Sequence, residues 1–228
     1  MLAMAFGGWI RFGPIRRSAP WRAAAGPGIA LPQPDRQGGL PLHAALEARR
    51  SIRDYGDEPL TLEEVGQLLW AAQGLNDPRG YRTAPSAGAL YPLELYLVAG
   101  NVAGLAPGVY HYDPRAHALT PLAEGDLRSA LARASLGQSC VERGAATLVF
   151  AAEFERTTGR YGQRGQQYVY IEVGHAAQNV YLQAAGLGLG TVAVGAFEPE
   201  SIGQTLGLPE AFAPLYLMPV GRPGTDAP

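Results

Sequence analysis

At 228 residues and 47% hydrophobic, the chain is long enough for one large domain or two small ones around a sizeable core. Its 18 basic and 20 acidic residues leave a formal charge of −2, so no uniform basic field points to nucleic acid or to a membrane surface. Every basic residue is Arg, which removes any chemistry that needs a titratable amine side chain, and the single Cys140 removes an intramolecular disulfide and a Cys-based metal cage.

Residues 1–39 read as an extended or disordered arm, rich in Gly and Pro and without sustained periodicity. Arg16-Arg17-Ser18 hints at an export signal, but Trp21-Arg22-Ala23-Ala24-Ala25-Gly26 is too short to be its apolar stretch. No run reaches the roughly 18 apolar residues of a membrane span, and a cytoplasmic location is expected. From residue 40 to 228 the chain is continuously patterned. Leu42, Ala45, Leu46 and Arg49 share a helical face, so Arg49-Arg50-Ser51-Ile52-Arg53 falls at the C-terminal end of a short helix, where the dipole favours cations. Thr61-Leu62-Glu63-Glu64 is a capping box that opens a helix stopped by Gly74. Leu93 to Ala99 and Val109 to Tyr112 read as strands, Asp126 to Arg143 as an amphipathic helix, and Ala145 to Phe154 as a buried strand. Val169 to Leu187 is apolar on nearly every face, so this helix needs cover all round, from the core or from a dimer interface. Thr191 to Phe197 and Pro214 to Val220 complete the strands. Strands separated by unequal helices predict one α+β domain with a mixed sheet.

Several chemistries are set aside. Gly186-Leu187-Gly188-Leu189-Gly190 follows a helix and precedes a strand, the reverse of a dinucleotide-binding turn, and reads as a helix stop. The four His (His43, His111, His117 and His175) lack metal-ligand spacing, and Ser86 is not in a nucleophile elbow.

Three segments suggest a site. The cluster at 49–53 offers three guanidinium forks and a hydroxyl, which suit phosphate oxygens, although a solvated helix end has the same composition. Arg82 to Pro92 combines small residues with Pro85 and Pro92, so its backbone can approach a flat ligand, or it is an ordinary loop. Gly195-Ala196-Phe197 ends a strand with unobstructed backbone N–H groups.

In order, these segments resemble the FMN-dependent nitroreductase family, and more narrowly its SagB-type dehydrogenases of thiazole- and oxazole-forming peptide pathways. The resemblance runs from about Ile29 to Pro223. It adds Leu69 to Gly74, Gly108 to Pro114, Gly174-His175-Ala176-Ala177-Gln178-Asn179 and Pro219-Val220-Gly221-Arg222-Pro223. It implies a largely antiparallel central sheet flanked by helices, in a homodimer with FMN at the subunit interface. It also implies that Arg49, Arg50, Ser51 and Arg53 contact the FMN phosphate or the flavin edge, with Arg222 closing the phosphate site. Pro85, Ser86 and Ala87 of the second subunit would lie beside the ring, Gln138 would read its pyrimidine edge, and Gly195 and Ala196 would present N–H groups to N5.

The branch carries a Lys-Tyr pair thought to take a proton during azoline oxidation. This chain has Arg160-Tyr161 there. A guanidinium, with a pKa above ~12, is no base at neutral pH, which leaves the Tyr161 phenolate for that role. Three functions follow from the resemblance: oxidation of a peptide-derived heterocycle or other small molecule, NAD(P)H-dependent reduction of nitro compounds or quinones, and a non-catalytic flavoprotein subunit.

Overall fold

The computed structural model describes residues 28–37 and 39–225. Seven strands form one open sheet: β1 (Ile29–Ala30), β2 (Leu93–Ala99), β3 (Gly108–Asp113), β4 (Ala118–Glu124), β5 (Ala146–Ala152), β6 (Gly190–Thr191) and β7 (Ala213–Gly221). Their spatial order is β1-β4-β3-β2-β5-β7-β6, and each neighbouring pair is antiparallel. The expected mixed, largely antiparallel sheet is met in its larger part, with no parallel pair among the named strands. Seven helices accompany it: α1 (Leu42–Ala48), α2 (Leu62–Gln73), α3 (Arg128–Ala134), α4 (Ser139–Arg143), α5 (Glu155–Tyr161), α6 (Arg164–Gly186) and α7 (Pro199–Leu206).

The two central strands, β2 and β5, are apolar at nearly every position because both faces of the sheet are covered. Leu95, Leu97, Leu148 and Phe150 join Leu68 and Leu69 of α2 and Val173, Ala176 and Val180 of α6 in one cluster. Tyr96, Val98, Val149 and Ala151 alternate with them and join Leu131, Val141, Ile202 and Leu206 in the other. The result is a three-layer α+β domain. Each fully buried Leu in it contributes about 1.5–3 kcal/mol of apolar burial.

Several elements follow the sequence pattern closely. The capping box is formed, with Glu64 N–H donating to Thr61 Oγ1 (3.2 Å) and Thr61 N–H to Glu64 Oε2 (2.9 Å). The 186–190 glycines close α6 as expected: Gly188 takes φ +69°, Leu189 N–H donates to Ala184 O and Gly188 N–H to Ala185 O.

Others depart from it. The helix expected over 126–143 is two, because Leu136 (φ +58°) and Gly137 (φ +73°) turn left-handed between α3 and α4. The strand expected over 191–197 pairs only at Gly190–Thr191 and at a bridge from Val194 to Leu217. β4 escaped the sequence reading because Pro121 breaks its pattern; among the described residues β1 pairs only with Ala118 and Leu119 and asks no ladder donor of Pro121. Of the expected arm, residues 1–27 and 38 lie outside the described residues. Ile29–Ala30 pairs with β4, and Leu31 is buried, so this part sits on the domain.

Candidate functional site

The basic segment begins where α1 ends. Arg49 closes the helix with its N–H on Ala45 O, and its guanidinium lies over the Tyr181 ring, 5.3 Å from the centroid. Arg50 Nη1 donates to Glu47 O (2.7 Å) and Arg49 O (2.8 Å), carbonyls at the negative end of the helix. Ser51 Oγ pairs with Tyr181 Oη (3.1 Å), which also accepts the Ala193 N–H (2.7 Å). Ile52 N–H donates to Thr191 O (2.9 Å), and Tyr55 Oη to Ile52 O (2.7 Å). The segment is thus stitched beside residues 191–193, with Arg53 exposed at its end. Among the described ion pairs none involves Arg49, Arg50 or Arg53.

Arg222 is placed differently. Its carbonyl accepts the Gly56 N–H, so its backbone runs beside the cluster. Its guanidinium forks onto Glu64, Nη1 to Oε1 (2.6 Å) and Nη2 to Oε2 (3.0 Å), at the start of α2.

Beyond Ala193 the chain leaves the sheet at Gly195 and Ala196, both exposed. Their N–H groups have no partner among the described residues. The break between α3 and α4 delivers Gln138, whose Nε2 donates to Ser135 O (2.9 Å) and to Ala196 O (2.8 Å). Residues 49–53, 138, 195 and 196 therefore line one continuous edge of the domain.

The loop at 82–92 forms a second locus. Gly88 (φ +64°), Ala89 (φ +53°) and Tyr91 (φ +49°) are left-handed, a strain of about 1–2 kcal/mol for each of the latter two. Half-buried polar contacts hold it: Arg82 Nη1 donates to Gln73 Oε1 (2.7 Å), Arg82 N–H to Tyr91 Oη (3.2 Å), and Tyr91 N–H to Ser86 Oγ (2.9 Å). A Cβ on Gly88 would stand 2.7 Å from Tyr161 Oη and 3.3 Å from Arg160 Nη1, so the loop lies against the Arg160-Tyr161 pair at the end of α5. Tyr161 packs edge-on to Tyr168 (centroids 5.2 Å apart), and Arg160 lies over the Tyr161 ring at 5.6 Å.

Pro85, Ser86 and Ala87 face Tyr168, Ile171, Glu172 and His175 of α6 across a cavity of about 240 Å³. A larger depression of about 470 Å³, at the first turns of α6, is an open dish lined by Gln163, Arg164, Gln166, Gln167 and Tyr170.

Glu172 is the residue the sequence reading missed. It is 2% exposed, and burial pushes its carboxyl up to about 7 against the opposing pull of the Ser86 hydroxyl bond and the Arg82 charge. A lone carboxylate inside the apolar run of 169–187 was the signal available. The neighbouring Glu94 is the contrast: burial would raise it, but His111 Nε2 (2.8 Å) and Arg156 Nη1 (2.6 Å) hold it below the ordinary carboxylate range.

A model of the Nitroreductase family matches residues 46–222. A nitroreductase-family protein of Methanocaldococcus jannaschii is 48% identical over 80% of this chain and 91% of its own. The microcin B17-processing protein McbC of Escherichia coli is 30% identical over 73% of this chain and 64% of its own, so this chain spans under two thirds of that relative. Among solved structures, a Ralstonia eutropha nitroreductase-family protein superposes with TM-score 0.76 at 32% identity, covering 94% of this chain and 99% of that one. The E. coli microcin synthetase McbBCD complex with truncated pro-MccB17 gives 0.68 at 26% identity, over 92% and 79%. The NADPH:FMN oxidoreductase of Vibrio harveyi shares the fold, with TM-score 0.60 at 23% identity over 81% and 70%. The chain belongs to the nitroreductase family of oxidoreductases, with the microcin B17-processing protein among its relatives.

Proposed function

We propose that the protein is an FMN-dependent dehydrogenase of the SagB type that oxidises a peptide-derived heterocycle or a similar small molecule. One observation carries the cofactor assignment: a row of donors without protein acceptors follows a single edge. It comprises the guanidinium groups of Arg49 and Arg53 and the N–H groups of Gly195 and Ala196, joined by the Ser51–Tyr181–Ala193 contacts, with Arg50 beside them turned onto the carbonyls of Glu47 and Arg49 and paired with no carboxylate. This donor set fits a phosphate at one end and an electron-rich ring at the other. When bound, FMN supplies a ring atom, N5, that accepts or gives hydride.

The chain's own residues supply the rest. Arg49, Arg50, Ser51 and Arg53 hold the phosphate. Arg222 steadies this side of the domain through Glu64 and joins the phosphate site if that fork opens. Gln138 uses Nε2 on two carbonyls, which leaves Oε1 to accept a ring N–H. Pro85, Ser86 and Ala87 serve the cofactor of a second copy, in a homodimer. Arg160 stays charged beside Tyr161, so Tyr161 is the member of that pair able to move a proton. The McbC relationship supports a peptide substrate and partner proteins.

A second reading, NAD(P)H-dependent reduction of nitro compounds or quinones, draws on the same residues and is favoured by Arg160 standing in place of Lys. Mixing the FMN-loaded protein with NADPH under stopped flow separates the two. No bleaching of the flavin, together with loss of two hydrogens from a synthetic thiazoline peptide, is expected; rapid bleaching with the peptide unchanged moves the assignment to the reductase. Protein that stays colourless after incubation with FMN removes both. Tyr161→Phe is expected to keep FMN and lose turnover of the peptide.

A further inference from the structure

Glu172 is the one acidic side chain among the described residues that is almost wholly buried, and it lacks the partners its neighbours have. Glu94 is paired with Arg156 and His111, and Glu64 with Arg222. Arg82 stands near Glu172, but its Nη1 donates to Gln73 Oε1 and Leu93 O. The carboxyl's hydrogen bond comes from Ser86, whose oxygen already accepts the Tyr91 N–H, so its single proton is directed at Glu172. The other oxygen, Oε1, is buried without a protein partner, and the residue lines the 240 Å³ cavity. A carboxyl kept for architecture would have both oxygens satisfied, because an unpaired buried one costs stability that an apolar side chain avoids. Arg82 and Ser86 of the loop act on it, and Tyr168 and His175 of its own helix share the cavity lining.

We propose that Glu172 is the proton-exchanging residue of the cavity bounded by Pro85, Ser86, Ala87 and Tyr168, a role that rests on the flavin-oxidoreductase reading above. In oxidation a substrate seated there loses one hydrogen as hydride to the bound flavin and the other as a proton to Glu172 Oε1. The electron pair of the broken bond to that proton becomes the new π bond. The carboxylic acid then returns its proton to water through the mouth of the cavity. Reduction runs the same path backwards, with Glu172 giving the proton. Glu172 is then the proton acceptor within the cavity, and Tyr161, which packs on Tyr168 of the same lining, orients the substrate beside it.

The test uses the full-length protein, wild type, E172Q and E172D, incubated with FMN. Carboxyl NMR of protein labelled at glutamate is expected to show one group with its midpoint near pH 7 that vanishes in E172Q. A Glu172 midpoint below about 5 overturns the proposal, whatever the variants do. For the second readout the bound FMN is reduced with dithionite and mixed with menadione, which needs a hydride and a proton to become its hydroquinone. E172Q is expected to bind FMN as the wild type does and to reoxidise about 100-fold more slowly, without the wild type's inflection near pH 7, while E172D recovers part of the rate. Reoxidation of E172Q within threefold of wild type, with the inflection intact, overturns the role of Glu172 and leaves the cofactor reading standing. Wild-type protein that takes up no FMN overturns the cofactor reading itself, and this proposal with it.

Discussion

A carboxyl that folding moves to about 7 makes stability depend on pH in the sense opposite to a salt-bridged acid. Glu172 binds its proton more tightly folded than unfolded, where its ordinary value is 4.5. Its contribution is therefore full below pH 4.5 and is lost as pH rises towards 7, by up to about 3 kcal/mol. E172Q should flatten that part of the profile and be more stable than wild type at pH 8, read as the urea midpoint across pH 4–8; parallel profiles would refute the burial argument. Arg49→Ala belongs to the same scale. Removing a guanidinium that has no protein carboxylate should leave the fold intact and weaken FMN binding roughly 10- to 100-fold, as expected for one charge-assisted hydrogen bond. Fluorescence titration of FMN checks it, and equal affinity would detach Arg49 from the cofactor. The basic cluster was legible because its members are adjacent in sequence. The fork of Arg222 on Glu64 spans 158 residues, and the burial of Glu172 depends on a loop folded over it, so neither could be read from local pattern.

The loop over residues 82–92 shows how an element without regular structure is fixed by its neighbours. Its small residues and prolines suggested close approach to a ligand, and Gly88 fits that reasoning in a different way. The φ of +64° is strained for any residue with a Cβ, and a Cβ there would also crowd the Tyr161 hydroxyl at 2.7 Å. Gly88→Ala should therefore push Tyr161 and Arg160 from their positions and cost about 1–3 kcal/mol from strain and overpacking. FMN affinity should be retained while turnover falls, and an unaffected turnover would mean that Tyr161 has no part in the reaction. Two helix termini were legible because a side chain or a glycine marks them, at Thr61 and at Gly188. The break at Leu136 and Gly137 was not, because leucine seldom adopts positive φ and the apolar pattern runs through it. α5 was hidden by Thr157, Thr158 and Gly159, poor helix formers that tertiary contacts override: Arg156 is held by Glu94 and Glu153.

At the scale of the whole molecule, the two loci stand apart along α6. Tyr181 carries the 49–53 segment, and Glu172 lines the cavity under the 82–92 loop, nine residues away, or ~13 Å at helical rise. Large apolar side chains lie exposed at Leu40, at Leu42 and Leu46 on α1, and at Tyr170 and Ile171 on α6, although the helix pattern at 169–187 calls for cover on all sides. In the homodimer proposed above, a second copy of the chain would supply that cover and bring the 85–87 loop of one protomer towards the 49–53 segment of the other, which would account for the separation within a single protomer. Association and cofactor binding are then linked: whatever weakens the dimer weakens FMN affinity. Leu46→Asp combined with Ile171→Asp, both at exposed positions where the isolated protomer loses little, should shift the protein from dimer to monomer in sedimentation velocity. FMN affinity should fall at least tenfold and recover as protein concentration is raised. A monomeric double variant that binds FMN as tightly as wild type would show that one protomer holds the whole cofactor site, and the apolar surface of α1 and α6 would need a different occupant.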